Sequence, residues 1–282
     1  MAMVLVVAAV PLGNPLDAST RLRDAIASAD LIAAEDSRRF HRLASDLEVT
    51  FTAKVVSFFE ANESEREDEI LNELKNGKRV LLVSDAGMPT ISDPGFRLIR
   101  SAIAHDIPVQ VLPGPSAVTM SIALSGLPTD RFTFEGFLPR TAGARASALE
   151  ELRFEERTMV FFEAPHRLPE TLSEMSTIFG KDREAAICRE MTKRYEETIR
   201  GPLSDLVAWA DSHEVLGEIT IVVSGIPAGS VEKTSDEIME RVRAFEGAGM
   251  ERKEAIAEVA RELELPKRVV YATVVEANKI GK

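Results

Sequence analysis

Ser84-Asp85-Ala86-Gly87-Met88-Pro89-Thr90-Ile91-Ser92-Asp93-Pro94-Gly95 decides how this chain is read. Before it stands Arg79-Val80-Leu81-Leu82-Val83, a short apolar run that predicts a strand buried on both faces. After it Phe96, Ile99 and Ile103 recur at helical spacing, with Ser92 or Asp93 placed to cap and Pro94 suited to the first turn. A buried strand therefore passes through a small-residue loop into a helix, and open α/β sheets bind ligands beyond the carboxyl ends of their strands at such turns. Gly87 and Gly95 permit positive φ and close backbone approach, and Asp85 and Asp93 offer carboxylates. The stretch reads either as a turn with two Asx-type caps or as a built site. Two aspartates, two glycines and two prolines within it favour the site.

The same handover recurs along the chain. The run up to Val10 passes into Pro11-Leu12-Gly13-Asn14-Pro15, and residues 17–19 can cap a helix reaching residue 29. Residues 30–34 form a second strand ending at Glu35-Asp36-Ser37-Arg38, residues 55–58 a third, and residues 63–75 a charged helix stopped by Asn76-Gly77. A fifth strand over 108–112 meets Pro113-Gly114-Pro115-Ser116-Ala117, with Pro115 at the first helical position. Strand and helix alternate throughout, which predicts a doubly wound parallel sheet. Beyond it the texture changes. Residues 131–137 alternate like an antiparallel strand. Buried strands over 158–162, 184–188 and 218–223 are separated by helices over 142–152, 168–178 and 203–210, a second α/β domain with a mixed sheet. Pro227-Ala228-Gly229-Ser230 reads as a linker, followed by helices over 234–246, 252–263 and 269–277 that resemble a small helix-turn-helix unit. Their charges nearly balance, which disfavours DNA and favours a packing or RNA-docking appendage. The expected division is 1–115, an N-terminal α/β domain; 116–227, a C-terminal α/β domain; and 228–282, a helical extension.

At 282 residues the chain exceeds the usual single core, in keeping with two domains and an appendage. Composition is that of an ordinary α/β protein, 45% hydrophobic and 28% charged. The apolar opening lacks a basic leader, is too short to span a bilayer and ends in a strand-to-loop signature, so no membrane segment is expected. A single cysteine, Cys188, excludes an internal disulfide and fits a reducing cytosol, so the expected location is cytoplasmic. The four histidines and Cys188 show no metal-ligand spacing, and no metal is expected. A net charge of −12 argues against a protein that coats nucleic acid generally. It leaves room for a local basic surface, of which Arg21, Arg23, Arg38, Arg39, His41 and Arg42 form the densest cluster. That cluster is either a solvated helix face or a phosphate-binding rim.

The loops carry no Gly-x-Gly-x-x-Gly after a strand, no Gly-x-x-x-x-Gly-Lys-Ser/Thr and no Gly-x-Ser-x-Gly elbow. Their common habit is a strand tip ending in Asp or Glu beside Ala, Gly, Ser or Pro. Carboxylates there would repel a polyphosphate and suit a neutral or cationic polar ligand. S-adenosyl-L-methionine, with its sulfonium centre, fits that description.

Taken together, Val10 to Asn14, Glu35 to Arg38, Ser84 to Gly95, Pro113 to Ala117, Phe134 to Pro139, Phe162 to Arg167 and Arg189 to Glu197 resemble the small-subunit (16S) ribosomal RNA (cytidine-2′-O)-methyltransferases. Those enzymes belong to the tetrapyrrole methylase superfamily, the class III methyltransferases. The resemblance covers the whole chain, with the motifs in family order. It implies two α/β domains holding S-adenosyl-L-methionine, a homodimer, and 16S ribosomal RNA of the small subunit as substrate, with no DNA or membrane partner. By that resemblance the cofactor touches Leu12, Asp85, Ala86, Gly87, Met88, Ser116, Ala117, Phe162, Glu163, Ala164 and Met191, with Thr220 a further contact. Glu35 and Asp36 are candidates for a general base or a ribose-hydroxyl contact. Arg38 and Arg39 would hold phosphate, with Lys193 another option. The competing reading pairs Glu35 with Arg38 structurally across a helix turn. Departures are small: the family usually has Thr where this chain has Val10, Ser37 and Met88, and Lys where it has Arg140. Two other readings compete: the same fold methylating a tetrapyrrole or a protein, and a non-catalytic ribosome-assembly factor that binds RNA.

Overall fold

The computed structural model describes residues 3–227, 230–263, 265 and 267–280. The first half of the chain lays down β1 (Val4–Ala8), α1 (Thr20–Ser28), β2 (Leu31–Ala34), α2 (Ser37–Asp46), β3 (Lys54–Ser57), α3 (Glu63–Lys75), β4 (Arg79–Val83), α4 (Phe96–Ala104) and β5 (Val109–Leu112). The strands form one parallel sheet in the order β3-β2-β4-β1-β5. Successive side chains of a strand point to opposite faces, and here both faces are covered. Val6, Ile32 and Leu81 pack with Leu22, Ile26 and Phe40 on one side. Leu5, Ala33 and Leu82 pack with Ile70, Leu74 and Leu98 on the other. This double burial is why β1, β2 and β4 read as unbroken apolar runs.

The chain continues through α5 (Ala117–Ser125), β6 (Phe132–Phe137), α6 (Ala142–Glu151), β7 (Thr158–Glu163), α7 (Leu168–Phe179), β8 (Glu184–Arg189), β9 (Glu197–Pro202), α8 (Leu203–Ser212) and β10 (Ile219–Val223). Their sheet runs β6-β7-β10-β8-β9 and is mixed. Only β6 and β7 are parallel; β10 lies antiparallel to both its neighbours, and β9 to β8. Met159, Phe161, Ile187 and Ile221 face α7 and α8 through Leu172, Met175 and Leu206. Val160 and Val222 face Val118 and Ile122 of α5.

One buried charge fastens the α6 and α7 layer. The Arg145 side chain is 1% exposed. Its guanidinium donates to both carboxylate oxygens of Glu174, at 2.7 and 2.9 Å, and pairs with Glu170 at 2.7 Å. Removing one partner of a buried pair leaves the others uncompensated, but both acids here keep some solvent. Arg145→Met is therefore expected to lower the unfolding free energy by about 2–3 kcal/mol, read as a reduced urea midpoint at neutral pH. An unchanged midpoint would show that the ion pairs carry no net stability.

By contact density the chain divides into two compact units, Met1–Arg153 with Arg157–Ser224, and Phe154–Glu156 with Gly225–Lys282. The second contains α9 (Ser230–Gly247), α10 (Arg252–Glu262) and α11 (Lys267–Ile280). They close over Ile238, Val242, Ile256, Val259, Val270 and Val274.

Several local expectations are corrected. β6 is parallel to β7, because α6 forms a helical crossover between them; its alternating pattern comes from its place at the sheet edge. β9 is missing from the sequence reading, since Gly201, Pro202 and two charged residues, Glu197 and Arg200, suit an edge strand and hide it from an apolar-run reading. α4 is not capped by Ser92 or Asp93, and Pro94 lies outside it. Its N-cap is Gly95 at φ 128°, whose N–H donates to Glu63 Oε1 at 3.1 Å. A β-carbon on Gly95 would come within 2.8 Å of Leu82 Cδ2, so the position demands glycine. Pro115 precedes the α5 cap, Ser116, instead of occupying the first helical position. Of the expected linker, Ala228 and Gly229 lie outside the described residues, and Ser230 already belongs to α9.

Candidate functional site

The carboxyl ends of β2 and β4 are clasped together. The Asp36 N–H donates to Asp85 Oδ1 at 3.1 Å, and the Asp85 N–H donates to Glu35 Oε2 at 3.0 Å. Arg39, one turn into α2, pairs with Asp85 Oδ2 at 3.2 Å. At the neighbouring tip of β1, Val10 and Gly87 exchange backbone hydrogen bonds of 2.8 and 3.1 Å. The loop beyond β4 then turns through two non-glycine residues at positive φ, Thr90 at 79° and Ser92 at 63°. Such left-handed backbone persists where the surroundings over-determine it, commonly at functional loops. It swings Asp93 back toward the strand tips instead of onto the helix that follows.

The second sheet supplies the facing wall. Its β8–β9 loop also turns through left-handed residues, Glu190 at 51° and Thr192 at 65°. Lys193 Nζ pairs with Glu190 Oε1 at 2.9 Å and Glu218 Oε2 at 3.1 Å. The alkyl chain of Lys193 lies against Gly13, where a β-carbon would fall 2.3 Å from its Cγ, and the Asn14 N–H donates to Thr192 Oγ1 at 3.2 Å. Lys193 thus acts as a strap between the loops, its charge already matched. Glu163, 3% exposed, accepts from the Thr171 hydroxyl at 2.6 Å and the Ala164 N–H at 2.8 Å, and pairs with Arg167 at 3.3 Å.

Between these walls lies a cavity of about 390 Å³. All twelve residues assigned to the cofactor by resemblance line it, as do Glu35 and Arg39. Asp36 and Arg38 do not. Asp36 is instead the N-cap of α2, accepting from the Arg38 N–H at 2.8 Å and pairing with the Arg38 guanidinium at 3.0 Å. The guanidinium holds its carboxyl down at about 2. The structural partner of Arg38 is therefore Asp36, and the alternative pairing with Glu35 does not form. Ile91, Phe137, Gly217 and Glu218, which the sequence does not single out, also line the cavity, as do Ser92 and Asp93, the latter read from the sequence both as a helix cap and as a site carboxylate. Asp93 was legible in principle: the Pro-Gly that follows it moves the helix start beyond Gly95 and frees its carboxylate.

The electrostatics lean negative. Glu163 is matched by Arg167 and Glu218 by Lys193, whereas Glu35, Asp85 and Asp93 share Arg39, the one cation among the lining residues. Burial raises the Glu35 carboxyl above its usual range despite the Asp85 N–H, and burial likewise raises Asp85 despite Arg39. Asp93 is pushed up to about 7, first by burial and then by the nearby Glu35 charge. Phe162 stacks edge-on with Phe134 and Phe137 at 4.8 and 5.6 Å, giving the cavity an apolar flank. Ser116 caps α5 without a side-chain hydrogen bond, which leaves that helix start available to a ligand carboxylate. An apolar flank, an acidic wall and an open helix start match a cation joined to an aromatic base and an amino-acid end. They do not match a polyphosphate. Among the described residues no group of three or more His, Cys, Asp and Glu side chains is arranged to hold a metal ion, and no helix is long and apolar enough to cross a membrane.

The profile of the Tetrapyrrole (Corrin/Porphyrin) Methylases matches residues 4–207. A Mycobacterium tuberculosis protein named Ribosomal RNA small subunit methyltransferase I is 48% identical over 256 residues, covering 91% of this chain and 88% of its own. A Thermotoga maritima protein of the same name is 44% identical over 221 residues, covering 78% of this chain and 98% of its own. Among solved structures, uroporphyrin-III C-methyl transferase from Thermus thermophilus in complex with S-adenosyl homocysteine superposes with a TM-score of 0.56 at 17% identity, covering 80% of this chain and 98% of its own.

Proposed function

The chain belongs to the tetrapyrrole methylase family, and from that premise we propose that it transfers a methyl group from S-adenosyl-L-methionine to the ribose 2′-hydroxyl of a cytidine in small-subunit (16S) ribosomal RNA. The observation that carries this reading is the cavity wall, where Glu35, Asp85 and Asp93 share the one guanidinium of Arg39 beside an apolar flank. The relatives narrow the substrate: at 44–48% identity they are named for ribosomal RNA, whereas the porphyrin enzyme shares 17%. That disfavours a tetrapyrrole or protein substrate. The division into domains 1–115, 116–227 and 228–282, action as a homodimer, cytoplasmic location and recognition of the small subunit are part of the same proposal.

When bound, the cofactor supplies an electrophilic methyl group on a cationic sulfur. Leu12, Asp85 to Met88, Ser116-Ala117, Phe162 to Ala164, Met191 and Thr220 would hold it, largely through backbone groups. Asp93 and Asp85 set the negative field of the pocket. A ribose hydroxyl is a weak nucleophile at neutral pH, so the chain must position it, exclude water and accept its proton. Glu35, half-buried at the mouth beside Arg39, is our proposed base. Arg38 and Arg39, 89% and 66% exposed, form a rim suited to phosphate. Exchanging both for Gln is expected to weaken RNA binding about tenfold and to flatten its salt dependence by up to about two in log–log slope. Unchanged affinity in a filter-binding titration would remove the rim from the mechanism.

The decisive assay supplies labelled S-adenosyl-L-methionine and small subunits from cells lacking the enzyme. Label in a 2′-O-methylated cytidine is the expected result. No label in any RNA would overturn the proposal, and binding without transfer would favour a non-catalytic assembly factor.

A further inference from the structure

The second compact unit has a groove of its own, a cavity of about 730 Å³ lined by α10 and α11. Ile256, Val274 and Val275 contribute its apolar surface, and Tyr271 lines it while remaining 60% exposed. Its other lining residues are Arg252, Lys253, Lys267 and Arg268, with no acid among them. Four cations around one aromatic ring stand out on a chain of net charge −12. They occupy the first turns of α10 and α11, where a cation opposes the positive end of the helix dipole, so helix stability supplies no reason for them. Arg252 is paired with Glu246 at 2.6 Å. Other ion pairs within α9 and α10 join Arg241 to Glu237 and Glu262, and Arg261 to Glu258. Among the described residues Lys253, Lys267 and Arg268 take part in none of them.

We propose that this groove is a docking surface for an unpaired segment of small-subunit ribosomal RNA, with a base against Tyr271 and the apolar floor and the adjoining phosphates on the four cations. Aromatic rings beside cations are the usual means of holding single-stranded RNA, since every base has a face to stack and every linkage a charge. The inference rests on the reading of ribosomal RNA as substrate. It assigns the groove to capture of the substrate and not to the chemistry. The Thermotoga maritima relative supports that division: 221 matched residues make up 98% of it, too few to hold both sheets and a helical unit of this size as well.

The test uses the full chain. All four cations are exposed, so R252Q/K253Q/K267Q/R268Q is expected to fold, which circular dichroism and melting verify. K253Q/K267Q/R268Q, which keeps the Arg252–Glu246 pair, guards against a folding defect. Binding is titrated against protein-free 16S RNA and against assembled small subunits over a range of KCl. The quadruple variant should bind both probes about tenfold or more weakly, with a log–log salt slope reduced by about two to three. Methyl transfer at saturating RNA should not change. Tyr271→Ala should weaken binding about fivefold or more and leave the salt slope alone. Affinity within twofold of the parent for the quadruple variant overturns the inference. A loss seen only on assembled subunits also overturns it, by assigning the groove to a ribosomal protein. Groove-dependent binding by a protein that methylates no RNA would sustain the docking surface and sink the proposed function instead.

Discussion

Asp93→Asn is expected to make the protein more stable above pH 7 and worse at holding its cofactor. Burial and the Glu35 charge lift the Asp93 carboxyl from 3.8 to about 7. The folded chain therefore binds a proton between pH 4 and 7 that the unfolded chain releases, and stability falls as pH rises through that window. Above pH 7 the full penalty is present. A displacement of that size corresponds to no more than ~4 kcal/mol, and residual solvent contact reduces it, so a gain of about 2 kcal/mol is expected for the Asn variant at pH 8. At pH 4 the two proteins should melt together. The opposite sign applies to binding. An ionised Asp93 attracts a sulfonium, so affinity for S-adenosyl-L-methionine should rise about three- to tenfold between pH 6 and 7.5, while affinity for the uncharged thioether S-adenosylhomocysteine stays nearly flat. Calorimetry with both ligands reads the difference directly. The variant should lose the pH dependence, and a parent protein whose preference between the two ligands ignores pH would refute the assignment.

The parallel sheet was readable because β1, β2 and β4 are buried on both faces and say so as continuous apolar runs. The second sheet was readable in its central strands for the same reason, but at its edges β6 was legible only as a strand of the wrong orientation and β9 not at all. There β6 alternates and β9 carries charge, glycine and proline, as edges do. In the site, Asp85 to Met88 are legible as a strand tip, whereas Asp93 reads both as a site carboxylate and as a helix cap. Its true position depends on Thr90 and Ser92 adopting left-handed backbone, a conformation that neither residue favours alone and that only tertiary packing enforces. Lys193 shows the complementary failure. A lysine beside a strand-tip loop reads as a phosphate ligand until Glu218, distant in sequence, is seen to join the nearby Glu190 in neutralising it.

Glu35 and Asp36 are adjacent in sequence, and the structure separates them into two environments that a pair of variants can tell apart. Asp36 is a cap: its oxygens are committed to the Arg38 amide and guanidinium, and a carboxyl held near 2 is a weak base. Glu35 is half-buried on the cavity wall, with its carboxyl raised by burial and one oxygen oriented by the Asp85 N–H. An acceptor whose proton affinity lies closer to neutrality takes a hydroxyl proton more readily. Glu35→Gln is therefore expected to lower kcat by about 10²- to 10⁴-fold at saturating RNA and cofactor, with cofactor binding little changed because Gln preserves the hydrogen bond to Asp85. Asp36→Ala should instead lower thermal stability by loosening the start of α2, and keep kcat within about tenfold of the parent. A larger kcat loss in Asp36→Ala than in Glu35→Gln would move the base onto the cap. A kcat loss in Asp93→Asn that persists at saturating cofactor would move it across the cavity, because a residue that acts only through the pocket's field on the sulfonium in the ground state affects binding and is silent once binding is complete.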